Sequence, residues 1–116
     1  APPGVSASFS AADGTCGGLD GSASVAFGRG SVVVDGTLVT PVPCYSATLR
    51  RVTVEEGVLE IRIAEVPPPE GTVCVECIGS VSYTATIRPG GTTIERVRVV
   101  HVGRGTAETV AVAERH

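Results

Sequence analysis

Val81-Ser82-Tyr83-Thr84-Ala85-Thr86-Ile87-Arg88 is the stretch that decides the fold. Its odd positions are apolar or aromatic and its even positions carry hydroxyls or charge. Successive side chains of an extended chain point to opposite faces, so this spacing makes one dry row and one wet row. A helix repeats every 3.6 residues and would scatter the same residues around its axis. The segment therefore predicts a half-buried strand.

Working outward, the same period recurs. Val5, Ala7, Phe9 and Ala11 alternate with Ser6, Ser8 and Ser10, and Leu59, Ile61 and Ile63 alternate with Glu60 and Arg62 inside Val58 to Val66. Ser22 to Phe27 and Ser31 to Thr40 flank a Gly28-Arg29-Gly30 turn, a hairpin signature. Pro41-Val42-Pro43 interrupts the ladder, because proline has no N–H to donate. In the next strand, Cys44 to Glu55, the apolar phase slips between Leu49 and Val52. One extra residue at Arg50-Arg51 restores it, which predicts a β-bulge.

Glu56-Gly57 turns the chain into Val58 to Val66, and Pro67 to Gly71 forms a stiff crossing between sheets. Thr72 to Ile78 holds Cys74 and Cys77 and is flanked by strands. After Pro89-Gly90-Gly91, the strands Thr92 to Val102 and Thr109 to Ala113 follow. About eight or nine short strands and no helical segment predict an all-β, immunoglobulin-like antiparallel β-sandwich stapled by disulfides. Residues 1–12 are expected to form an N-terminal arm, with Ala1-Pro2-Pro3-Gly4 docked, and residues 13–116 the sandwich body.

A chain of 116 residues makes one domain. Its apolar residues are mostly Val and Ala, which suits a pleated core. Lys, Asn, Gln, Met and Trp are absent. Loss of Asn, Gln and Met matches a thermophile tendency, and a GC-rich genome would equally favour Arg over Lys. The net charge of −3, with both signs interspersed, excludes the basic stripe that nucleic acid requires. No apolar run reaches the roughly 18 residues of a membrane span. The small first residue, Ala1, is of the kind signal peptidase leaves, and four cysteines in a short chain fit an oxidising compartment. The expected location is extracellular or at the cell surface.

Four cysteines allow three pairings. A hairpin centred near Arg29 sets residue 16 roughly opposite residue 42, which favours Cys16 with Cys44 and leaves Cys74 with Cys77 as a local pair. A Cys44–Cys77 bond is the rival. Cys74-Val75-Glu76-Cys77 also admits a redox reading, but redox motifs sit at a helix N-terminus where the dipole stabilises thiolate. A zinc site built from all four cysteines lacks a second Cys-x-x-Cys.

Other catalytic patterns are missing. His101 and His116, the two histidines, do not fall in a metalloprotease spacing, and His101 reads as a packed or solvent-facing side chain at a strand end. No Gly-x-Ser-x-Gly elbow occurs. Glu55, Glu56, Glu60 and Glu65 read as a solvated face with cross-strand Arg partners, and Asp13 and Asp20 do not match a calcium loop. The expectation is a protein without catalytic residues, cofactor or metal.

Val34-Asp35-Gly36-Thr37-Leu38, then Pro43-Cys44-Tyr45-Ser46-Ala47-Thr48-Leu49, then Cys74-x-x-Cys77-Ile78-Gly79 with Tyr83 and Val99-Val100-His101, resembles a group of exported archaeal proteins. The resemblance covers about two-thirds of the chain. It implies an exported β-sandwich and brings no catalytic residues. Halophilic members of that group are far more acidic than this chain.

Two functions follow as expectations. In the first, the chain is a subunit of an extracellular, pilus-like filament, a head-to-tail homopolymer in which the stripe Val5, Ala7, Phe9 and Ala11 inserts into a neighbouring copy as a donor strand. In the second, it is a monomeric cell-surface or lipid-anchored module that binds a ligand through loops, with 14–21 and 67–71 as candidate surfaces.

Overall fold

The computed structural model describes residues 4–17 and 20–115. Nine strands run in two sheets: β1 Ser6–Ala11, β2 Thr15–Cys16, β3 Ser22–Gly28, β4 Ser31–Thr40, β5 Ser46–Glu55, β6 Val58–Val66, β7 Gly79–Arg88, β8 Arg96–Gly103 and β9 Thr106–Glu114. The first sheet has the order β1-β7-β4-β3, with β2 pairing the start of β7 beyond β1. The second has the order β5-β6-β8-β9. Among the described residues there is no helix.

Alternation decides which side of each strand is dry. Val32, Val34, Ala85 and Ile87 of the first sheet meet Leu59, Ile61, Ile63, Val97 and Val99 of the second, all fully buried. Each such Val, Leu or Ile contributes roughly 1.5–3 kcal/mol by leaving water.

The turns follow backbone rules. Glu56 and Gly57 both have positive φ, 49° and 79°, and join Glu55 to Val58 as a two-residue hairpin. Positive φ at both central residues matches the right-handed strand twist. The bulge expected at Arg50-Arg51 is present, as the β5–β6 register shifts between Leu49 and Arg51. A second shift on β8–β9 leaves Val110 without a cross-strand partner.

Thr72 to Ile78 has no strand. Two details differ from the sequence reading. Thr15–Cys16 forms a short strand inside the glycine-rich loop. One neighbour pair, β6–β8, is parallel. That direction follows from the route: the chain leaves β6, crosses to the first sheet as β7, and returns as β8 running the same way as β6.

The strand directions define two poles along the 46 Å axis. One gathers the β4–β5 and β6–β7 connections, β2 and the Arg104-Gly105 turn. The other gathers the Arg29-Gly30, Glu56-Gly57 and 89–95 connections, with Gly4 against Gly90 and the Arg115 N–H bonded to the Glu95 carbonyl.

Candidate functional site

The first pole is clasped by disulfides. Cys16 bonds Cys77 and Cys44 bonds Cys74, with Cα separations of 5.7 and 6.0 Å. This corrects the expected Cys16–Cys44 and Cys74–Cys77 pairs, and the Cys44–Cys77 rival as well. The β3–β4 ladder ends at Ser22–Thr37, so it cannot carry Cys16 toward Cys44. The glycine-rich loop instead places Cys16 across the sheet, opposite Gly79 of β7, and Cys77 lies two residues upstream of that partner. Thr40 also pairs with Gly79, from the other side of β7, which brings the β4–β5 connection and Cys44 toward Cys74.

Cys16–Cys77 ties the glycine-rich loop to the segment 67–78, and Cys44–Cys74 ties that segment to the β4–β5 connection. They hold residues 67–78 in a shape that turns aliphatic side chains outward: Val73 is 96 % exposed, Val75 66 % and Ile78 58 %. Exposed Glu70, Glu76 and Asp20 lie in the same loops. Cysteines three residues apart fall on opposite faces of a strand, so bonds to two different connections are at odds with a strand there.

The candidate assembly strand, β1, pairs with β7 of its own chain from Ser6–Arg88 to Ala11–Tyr83. Val5 is buried and Phe9 half-buried, while Ala7 and Ala11 are exposed. The Phe9 ring stacks on Tyr83, centroids 5.7 Å apart. Just beyond the strand the chain is fixed. The Ala12 N–H donates to the Ser82 carbonyl at 2.8 Å, and Cys16 is held by its disulfide. Residues 1–3 of the expected arm lie outside the described residues.

One polar pair bridges the two sheets. The Tyr83 hydroxyl and His101 Nε2 are 2.6 Å apart and buried. Gly36 makes room for the Tyr83 ring, since a Cβ there would lie 2.4 Å from its oxygen. Burial lowers the His101 pKa to about 4, and burial followed by the Asp35 charge raises Tyr83 well above the ordinary phenol value. His101 is thus a packed core residue, 7 % exposed and neutral at pH 7.

The carboxylates are spread out. Glu60 sits between Arg62 at 2.9 Å and Arg98 at 3.8 Å. Glu65 accepts the Arg104 N–H at 2.9 Å, and its second oxygen has no partner among the described residues. Among the described residues, no three His, Cys, Asp or Glu side chains are gathered closely enough to hold a metal ion. No helix among them is long and apolar enough to cross a membrane. The two disulfides fit an oxidising, extracellular compartment. No family model, curated protein or solved structure matches the chain.

Proposed function

We propose that the chain is an exported structural protein, a subunit that builds an extracellular filament by lending β1 to the next copy. The supporting observation is how β1 is attached. It is an uncharged edge strand held mainly by its backbone ladder, with Val5 and Phe9 as its side-chain anchors. The disulfide behind it pins the rest of the body, so β1 can leave its slot while Cys16 stays in place. Exchange replaces each lost contact with the identical contact in a neighbour, and a head-to-tail exchange continues without closing.

Cysteines placed at the facing pair Ser8 and Thr86 test this. In the Ser8→Cys, Thr86→Cys variant, oxidation of assembled material gives a ladder of covalent oligomers on a non-reducing gel if β1 is exchanged. Monomeric bands alone, together with filaments that survive deletion of residues 1–12, would refute it.

A second reading is favoured by the clasped pole. Two disulfides immobilise Val73, Val75 and Ile78 on an exposed loop, which lowers the ordering cost of binding there. The flanking Glu70 and Glu76 suit a protein cleft with an apolar floor and a basic rim. Under this reading the protein stays monomeric at high concentration in light scattering, and Val75→Asp abolishes ligand binding.

A further inference from the structure

We propose that β3 is a second self-association edge, at which two copies pair β3 against β3 across a two-fold axis. The occupant is a second copy of this chain, and the contact fuses the first sheets of both copies into one. The inference does not rest on exchange of β1, which occupies the opposite edge of that sheet.

Three observations carry it. First, β3 is an open template. Its register with β4 runs unshifted from Ser22–Thr37 to Gly28–Ser31. Among the described residues, no backbone group on its free side is bonded by another part of the chain. Edge strands with unpaired N–H and C=O groups accept further strands unless charge, proline or a bulge prevents it.

Second, those deterrents stand elsewhere. The edge strands of the other sheet carry Arg50, Arg51 and Glu55 on β5, and Glu108 and Glu114 on β9. Both also carry register shifts. Ser22-Ala-Ser-Val-Ala-Phe-Gly28 has no charge, no proline and no bulge.

Third, the flanking charges select the partner. With Val25 on the axis of an antiparallel pair, Ser24 faces the partner's Ala26, and Ala23 faces the partner's Phe27. Gly21 then faces the partner's Arg29, which sets Asp20 of each copy beside Arg29 of the other. Opposite charges therefore close both ends of the ladder. The half-buried row Ala23, Val25 and Phe27 packs on the core of its own copy, with the Arg115 guanidinium 5.1 Å from the Phe27 ring centroid, so the new ladder adds at the edge without disturbing it.

Ser24 and Ala26 are exposed, so charging them leaves the fold intact, which circular dichroism verifies. Sedimentation of the full chain across a dilution series is the test. Wild type with β1 in its own slot, as in this structure, is expected at twice the monomer mass at the concentrated end. Ser24→Lys with Ala26→Lys sets lysine opposite lysine, and Ser24→Asp with Ala26→Asp sets aspartate opposite aspartate. Each double variant is expected at the monomer mass, and their equimolar mixture returns to the two-fold mass. A wild-type chain that stays monomeric, or an association state unmoved by both charged variants, overturns the proposal.

Discussion

The two sheets share one core and treat water differently. The outer face of the first is a hydroxyl field in which Ser8, Ser10, Ser22, Ser24, Thr84 and Thr86 surround Asp35, and Thr84 donates to the Asp35 carboxylate at 2.6 Å. The outer face of the second is an ionic lattice in which Glu60 bridges Arg62 and Arg98, and Arg96 grips Glu114. Hydroxyls hydrate a surface without repelling an identical one, whereas charges of fixed sign resist a second copy. Under the proposed self-association, the contrast assigns the associating edges to the first sheet.

The largest effect that sharpens the contrast separates core from edge. Leu59→Ala, at a fully buried position on a central strand of the charged sheet, is expected to cost about 3 kcal/mol in denaturant unfolding. Phe9→Ala, on the half-buried edge of the hydroxyl sheet, is expected to cost about 2 kcal/mol or less. Equal losses would mean that β1 is as deeply anchored as β6, which breaks the case for its release.

A middle-sized effect concerns the bond between the sheets. The folded His101 pKa of about 4 lies below the unfolded value of about 6.5. The neutral ring thus contributes stability that is fully present above pH 6.5 and is lost as pH falls through about 4. The loss is on the order of 2 kcal/mol once partial hydration is allowed for. Thermal melts of wild type and His101→Gln from pH 7 to pH 4 check it. If both lose stability in parallel, His101 does not couple the sheets.

The smallest effect lies in the ionic lattice. Glu60→Gln is expected to change stability by about 0.5 kcal/mol, and raised salt is expected to erase the difference. A much larger, salt-resistant loss would make that lattice a structural element rather than a hydration layer.

Much of this architecture was legible because period two is a direct record of burial. Val81 to Ile87 and Leu59 to Ile63 are inward where the alternation puts them. The phase slip at Arg50-Arg51 became a bulge for the same reason. The disulfides were not legible, since pairing depends on which side of β7 each loop approaches, and that is a long-range matter. The Tyr83–His101 bond joins strands of different sheets and has no local signature. Edge status was hidden too. Ala7 and Ala11 keep the phase of buried residues yet remain exposed, because β1 has a neighbour on one side only.

The wiring of β1 has a temporal side. Ser6 pairs with Arg88, so β1 finds its mate only after β2 to β6 have been made. The hairpins β3–β4 and β5–β6 close locally and early, while this long-range ladder belongs to the slow steps of folding. Throughout that interval the nascent segment is unmatched, and under the proposed exchange a slot on a neighbour competes with one still being made. The local density of emerging chains, rather than any switch within the subunit, would then set whether a molecule closes on itself or joins another.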